Sequence, residues 1–508
     1  MVASAHPLGT LAGVRALKAG GSAVDAAIAA NAAVAVASPD MCGPGGDLFA
    51  LVYEAGPRRV VGVDSAGAAG TGVDPAKLRV RHHRMPDRGP LSVTVPGAVA
   101  GWGLLHERFG RLPWASLFED AADAAETGFA ATERLVGSIT SARSLLVQGA
   151  GAATYLPGGV VPAPGEVLVN PDLGRTLRSL MAEGPDLFYT GELGAAIARF
   201  SDERGGPLRA GDLAAHRARL ADPVSRRYGG FTVLETAPPS QGFTALMMLG
   251  LMEHLLPSHA LPWTVDTVDA QVRAKRLAFA VRERILRDPD RGHVPVDLWL
   301  RDEGLDWILT RGEEAVQGGD LIGDTTYLCA VDADGNACSL VQSLYRGFGS
   351  GEMVPGTGFF LQNRGSYFSL SPEHPNAYAP GVRTAHTLSA AMVLDDDQRL
   401  RWVLGTMGGD GQPQFHAQIL HRLIDAGEGV AEAIAAPRWI DGDGPSGVQL
   451  HLEAVGGPEL ADGLGRRGYA VELVAPGSPE LGHAQGIAVG ASLSGGADPR
   501  GDGLALGW

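Results

Sequence analysis

Thr325 and Thr326 open a run, TTYLCAVD, that follows the acidic, glycine-flanked stretch GDLIGD. A cut between Asp324 and Thr325 would turn Thr325 into an N-terminus. Its α-amine, with an unperturbed pKa of roughly 7.7–8.0, could then take the proton of its own hydroxyl at neutral pH, so that one residue supplies both nucleophile and base. The cut itself can be drawn as attack of the Thr325 hydroxyl on the Asp324 carbonyl carbon, an N-to-O acyl shift, and hydrolysis of the ester. A Thr-Thr pair at a strand start also fits plain β-propensity. The second element is LGTMGGDG, residues 404–411, where Gly408 and Gly409 stand between an apolar run and a helical pattern. Outward-pointing amides there could hold a tetrahedral oxyanion. A tight strand-to-helix turn is the alternative.

Other motifs exclude chemistry. The loops CGPGGD and GFGSG have neither the Lys-Ser/Thr ending of a phosphate loop nor a dinucleotide-binding context, so no cofactor is expected. His82 and His83 are adjacent and lack a carboxylate or cysteine at ligand spacing, so no metal is expected. The segment RVRHHRMPDR, with Arg79, Arg81, Arg84 and Arg88, is a concentrated basic patch in an acidic chain. It reads either as a contact for an anionic substrate or as a solvated surface loop. With 41 basic and 57 acidic side chains the formal charge is -16, which repels phosphate backbones and anionic membranes, and nucleic acid is not an expected partner. Cys42, Cys329 and Cys338 form neither a disulfide framework nor a thiolate zinc site. No membrane span and no secretory signal is read, and a cytoplasmic location is expected.

The elements that must position Thr325 and the glycine pair follow from pattern. Residues 7–39 carry long alanine runs between Gly-Gly punctuation and predict two buried helices. MCGPGGD then predicts a turn, and LFALVYEAG with RRVVGVDSAG a hairpin. Residues 75–92 lack a period and predict a loop, after which helical spacings run to about residue 310, interrupted by a strand-like FTVLETAPP. RGEEAVQGGDLIGD predicts an exposed linker. TTYLCAVD and ACSLVQSLY, joined by ADGN, predict a hairpin beginning at Thr325. FFLQN predicts a further strand, and RWVLGTMGGDGQPQFHAQILHRLIDAG a strand, a glycine turn and a helix.

The segment TTYLCAVDADGNACSLVQSLYRGFGSGEMVPGTGFFLQN closely resembles the γ-glutamyltransferase family segment that begins with the catalytic threonine. GGSAVDAAIAANAAVAVASPDMCGPGGDLFALVY, VPGAVAGWGLLHERFGRLPWASLFEDAADAAETGF, LGTMGGDGQPQFHAQIL and GHAQGIAVGASLSGGADPRGDGLALG resemble the family's other blocks, in order and over nearly the whole chain. The resemblance implies an α+β, four-layer αββα fold of the N-terminal-nucleophile hydrolase type. It implies a large subunit, residues 1–324, and a small subunit, residues 325–508. By position Thr325 is the implied nucleophile, Ser343 the supporting hydroxyl, and Gly408 and Gly409 the oxyanion hole. The residues at the family's γ-glutamyl recognition positions differ. Tyr345 replaces an asparagine, Arg364 a glutamine or glutamate, Tyr367 the amine-gripping aspartate, and His386 and Thr387 a serine pair; the arginine expected near Pro75 is absent. Loss of an aspartate and gain of a cation point to an acyl group that is anionic or lacks an amine, as in the acylase and oxamate-hydrolase-like branches. The implied partners are a small-molecule amide or acyl substrate and the two fragments of the chain for each other, with a homodimer left open. Three alternatives remain at this point: a true γ-glutamyltransferase acting on glutathione-like donors, a carbon–carbon bond hydrolase, and an inactive homologue that binds or assembles.

Overall fold

A computed structural model describes residues 1–311, 324–444 and 447–507. The linker read at 311–324 lies largely outside the described residues.

Two antiparallel sheets dominate. The first has seven strands, in the order Leu504–Leu506, Val2–Ser4, Asp324–Val331, Ala337–Tyr345, Asp47–Glu54, Arg59–Ser65 and Arg219–Ala221. The second has six: Leu493–Ala497, Ala484–Val489, Leu400–Thr406, Ala390–Leu394, Phe231–Glu235 and Val224–Tyr228. The expected hairpins at residues 47–65 and 325–345 are both present as antiparallel pairs.

The alternation of side chains along a strand assigns each face. In Asp324–Val331, Leu328 and Ala330 join a core with the alanine-rich helix Ala23–Ala37 and the helix Ala98–Phe109. Tyr327, Cys329 and Val331 point the other way, into a core shared with Met392, Val403 and Ile487 of the second sheet. Thr325 has the parity of this inter-sheet face, and so does Ser343, which alternates with Val341 on the neighbouring strand. The outer face of the second sheet is covered by Gly242–Leu255, Val265–Ile285 and Gln412–Ile424, whose apolar side chains form a third core with Val233, Ala391 and Leu404. The helix Ala23–Ala37 is buried along its whole length; only small side chains allow that, and Ser22 and Asp25 close its N-terminus with a capping box.

Three expectations fail locally. The stretch read as helical to about residue 310 also holds the strands Arg219–Ala221 and Val224–Tyr228, one at an edge of each main sheet. Residues 75–92 are not all loop: Asp74 caps a short helix, Pro75–Arg81, by accepting from the Ala76 amide, and Pro90–Ser92 forms one 3-10 turn. FFLQN is not a strand. Its Phe360 makes one bridge to Met353, and the next amides go to different loops, Leu361 to the Glu352 carbonyl and Gln362 to the Gly45 carbonyl.

Candidate active site

The Thr325 hydroxyl donates to Ser343 Oγ at 3.2 Å, and Ser343 Oγ donates to the carbonyl oxygen of Asp324 at 2.6 Å. The Tyr345 amide donates to Ser343 Oγ at 2.6 Å, which fixes the hydroxyl's direction. A β-bulge between Gln342 and Tyr345, with Tyr345 at φ +83°, turns that amide inward. The chain thus holds a proton path from the Thr325 hydroxyl to the carbonyl one residue upstream, with Thr325 and Ser343 both buried. The Asp324 carboxyl accepts from the Gly347 amide at 2.8 Å, and burial, with Asp40 nearby, pushes its pKa up to about 6.

The glycine pair approaches from the second sheet. Cys329 Sγ lies 3.9 Å from the Val403 carbonyl oxygen, and a Cβ on Gly405 would sit 2.3 Å from the Tyr327 ring, so only glycine fits there. Thr325 stands two residues before Tyr327 and Met407 two residues after Gly405, and Asp324 and Met407 line one cavity, which puts this end of the Asp324–Val331 strand near the glycine turn. Gly408 and Gly409 have φ +126° and +54°, the left-handed side that favours glycine, and lead through one 3-10 turn into the helix Gln412–Ile424.

Gln241 and Arg282, which the sequence did not single out, hold this turn. Gln241 Nε2 donates to the Gly409 carbonyl at 3.0 Å and to the Thr387 carbonyl at 2.9 Å. Arg282 Nη1 donates to Gln241 Oε1 at 2.5 Å and to Asp410 Oδ1 at 2.6 Å. The Tyr367 hydroxyl donates to the same Asp410 oxygen at 3.1 Å.

Of the five residues expected at the family's recognition positions, Tyr345 and Thr387 contact Arg364, and Tyr367 packs on Tyr345. The Arg364 guanidinium is fully buried, lies 4.0 Å over the Tyr345 ring, and gives one hydrogen bond, Nη1 to Thr387 Oγ1 at 2.9 Å. Nε and Nη2 have no partner among the described residues, and burial holds the pKa below the usual arginine value. Tyr367 meets Tyr345 edge to face at 5.7 Å. His386 is committed elsewhere. Its Nε2 pairs with Asp47 Oδ2 at 3.1 Å, its Nδ1 accepts from the Leu388 amide, and burial with the Arg364 charge drives its pKa well down, so the ring is neutral. Asp47, the last residue of CGPGGD, also accepts from the amides of Gly67 and Gly97 and from Gln362; burial raises its pKa to about 6.

The basic patch does not converge on this cluster. Arg79, Arg81 and Arg84 are exposed, while Arg88 reaches the carbonyls of Gly347 and Gly349 beside Asp324. Among the described residues no group of His, Cys, Asp and Glu could hold a metal ion, and no helix is long and apolar enough to cross a membrane.

The profile of the gamma-glutamyltranspeptidase family matches residues 9–508. An oxamate amidohydrolase proenzyme of Klebsiella pneumoniae is 37% identical, covering 100% of this chain and 98% of the relative. The glutathione hydrolase-like YwrD proenzyme of Bacillus subtilis is 35% identical over 100% of this chain and 98% of its own. The crystal structure of a cephalosporin acylase from Bacillus halodurans superposes with a TM-score of 0.91 at 34% identity, covering 100% of this chain and 95% of that one. The mixed helix-and-sheet fold is that of these enzymes, and their names support a hydrolase or acyl-transfer activity. The chain belongs to the gamma-glutamyltranspeptidase family and is an enzyme of the N-terminal-nucleophile hydrolase kind.

Proposed function

We propose that the chain is a proenzyme that cuts itself between Asp324 and Thr325 and then hydrolyses or transfers a short anionic acyl group from an amide through an acyl-Thr325 intermediate. The observation that carries this is the hydrogen-bonded path from the Thr325 hydroxyl through Ser343 to the Asp324 carbonyl. In processing, Thr325 Oγ bonds to the Asp324 carbonyl carbon, the peptide C–N bond breaks, the proton passes to the released amine, and water hydrolyses the ester. Residues 1–324 and 325–508 are then the large and small subunits of a four-layer αββα sandwich. In turnover the freed amine takes the hydroxyl proton, the substrate carbonyl carbon bonds to Thr325 Oγ, and the leaving nitrogen departs with that proton; water or an acceptor amine then bonds to the acyl carbon, the ester C–O bond breaks, and a proton from the attacking group returns to Thr325 Oγ. The amides of Gly408 and Gly409 receive the oxyanion.

The donor half of the reading rests on Arg364. A buried cation with two unpartnered nitrogens is complete only when an anion arrives, and an acyl chain ending in a carboxylate supplies charge-assisted hydrogen bonds. An α-amine beside it would meet a cation, an arrangement that costs several kcal/mol when buried. The Tyr367 hydroxyl donates its hydrogen bond to Asp410, so its oxygen is left to accept, and His386 supports the site without touching the ligand.

The test has two readings. Mass spectrometry of purified protein should give fragments 1–324 and 325–508, and Thr325→Ala should remain one inactive chain. Glutaryl amides should then be better substrates than γ-glutamyl amides, which differ by the α-amine alone. Normal cutting of Thr325→Ala would overturn the nucleophile, and a strong γ-glutamyl preference would overturn the donor.

A further inference from the structure

We infer that Asp410 and Tyr367 are positioning residues that tie the Arg364 cation to the Gly408–Gly409 turn, so that an anionic acyl group is read in kcat more than in binding. The inference rests on the acyl-Thr325 reading and adds to it how donor recognition reaches the reacting carbonyl.

The turn does not set itself. Two adjacent glycines at φ +126° and +54° have no side chains to restrict them, so the direction of their amides depends on what the turn is tied to. Inside it, the Gly411 amide donates to the Gly408 carbonyl at 2.7 Å. Two outside ties flank Gly409. Its carbonyl accepts from Gln241 Nε2 at 3.0 Å. The next side chain, Asp410, accepts on Oδ1 from Arg282 Nη1 at 2.6 Å and from the Tyr367 hydroxyl at 3.1 Å.

Both ties lead to Arg364. Arg364 and Tyr367 open and close one 3-10 turn, and residues three apart in such a turn lie over each other. They share Tyr345 accordingly: the guanidinium lies 4.0 Å over its ring, and the Tyr367 ring meets it edge to face at 5.7 Å. The other route starts at Gln241, whose Nε2 also donates to the Thr387 carbonyl at 2.9 Å, while Thr387 Oγ1 accepts from Arg364 Nη1 at 2.9 Å. Arg282 joins the routes by donating to Gln241 Oε1 as well as to Asp410. The contacts close a circuit with the cation on one side and the glycine turn on the other. Arg364, Gln241, Arg282, Thr387 and Asp410 are all buried, and hydrogen bonds shielded from water are strong and reinforce one another. Among the described residues the guanidinium is held at Nη1 and on its face, with Nε and Nη2 unpartnered. An anion on that open edge fixes the fork in its plane, and with it Thr387 and Tyr345, then Gln241 and Tyr367, and so the turn. Interaction energy used in this way is felt where the oxyanion forms, in the transition state, and not in ground-state binding.

Three matched anilides test this on the purified enzyme: glutaryl; butyryl, which lacks only the carboxylate; and acetyl, which leaves the Arg364 edge open to a free anion. Tyr367→Phe removes the hydroxyl that reaches Asp410 and keeps the ring. It should lower kcat for the glutaryl anilide by about tenfold or more, as loss of a hydrogen bond to a charged group does, while KM and the Ki of free glutarate stay within about twofold. Added acetate should raise kcat for the acetyl anilide in wild type and not in Tyr367→Phe. In an Asp410→Ala background, which has lost the acceptor, Tyr367→Phe should change kcat no further. A Tyr367→Phe enzyme with raised KM and unchanged kcat would make Tyr367 a binding residue only and overturn the inference. Equal slowing of glutaryl and butyryl anilides together with a lower melting temperature would overturn it too, by making the circuit structural. So would acetate stimulation that survives Tyr367→Phe, or an acetyl anilide indifferent to acetate in wild type. These results leave the acyl-Thr325 reading standing, whereas absence of Thr325-dependent turnover for every anilide would sink that reading and this inference with it.

Discussion

Replacing Arg364 by methionine separates its work in binding from its effect on stability. Nε and Nη2 of the guanidinium have no partner among the described residues and in the proposed site are offered to the ligand. A hydrogen bond to a charged group is worth about 1.5–3 kcal/mol, so two of them amount to about 3–6 kcal/mol, or roughly 10²–10⁴-fold in kcat/KM for a glutaryl amide. The fold should not suffer equally. The variant loses the bond to Thr387, about 1 kcal/mol, and the stacking on Tyr345, up to about 2 kcal/mol for a desolvated cation on a ring. Against that, it removes a buried cation with no carboxylate in ion-pair distance among the described residues, whose desolvation costs several kcal/mol. Methionine fills a similar channel with an adaptable apolar chain. The expected result is a melting temperature equal to or above wild type, with donor preference between glutaryl and γ-glutamyl amides erased and both turned over slowly. Arg364→Lys should restore part of the preference, as a point charge lacking the planar fork. A melting temperature several degrees lower with the glutaryl preference intact would refute the argument, because it would make Arg364 a structural residue.

Ser343→Ala removes the relay hydroxyl and should slow appearance of the two fragments by roughly 10²-fold or more, read by mass spectrometry over time; cutting at the wild-type rate would mean Thr325 reaches the carbonyl unaided. Gly409→Val should lower turnover by about 10²–10³-fold, since φ +54° is strained for any side chain and the amide would shift; near-normal turnover would remove these glycines from the oxyanion site. Gln241→Glu keeps size and leaves a carboxylate facing Arg282, but forfeits the donors to the Gly409 and Thr387 carbonyls, so kcat should fall more than KM changes and Tm should hold. The pH prediction concerns the uncut Thr325→Ala chain. Asp324 moves from 3.8 to about 6 on folding. The unfolded chain therefore gives up its proton first as pH rises, and folding loses stability between about pH 4 and 6, levelling off above, by at most about 3 kcal/mol. Urea unfolding should show this loss reduced by Asp324→Asn in the same background; identical pH slopes would contradict it.

Thr325 and the glycine pair could be singled out from a strand start and a glycine turn, which are local patterns, whereas Ser343 entered through the family resemblance and takes its place beside Thr325 only from the register that pairs the two strands. Glycine is what a backbone at φ +126° and +54° favours. The helix Pro75–Arg81 was not legible: seven residues with one buried apolar side chain, Leu78, carry no period, and only the Asp-Pro start signals it. FFLQN misled for the opposite reason. Its residues suit a strand, but neighbouring loops claim its amides one by one. Gln241, Arg282, Asp47 and Asp410 were unread as a group because their meaning is tertiary: a glutamine at the start of one helix and an arginine near the end of another acquire a role only when a turn some 130–170 residues away folds between them. That geometry has a consequence for the proposed cut. Gln241 and Arg282 belong to residues 1–324, whereas Gly409, Asp410 and Thr387 belong to 325–508, and the strand Asp324–Val331 is flanked by Val2–Ser4 on one side. Breaking that one peptide bond would therefore leave the glycine turn, the Arg364 cluster and the first sheet held by buried bonds that cross between the fragments. Under the proposed cut, Thr325 would gain a free amine inside a site that residues 1–324 continue to shape.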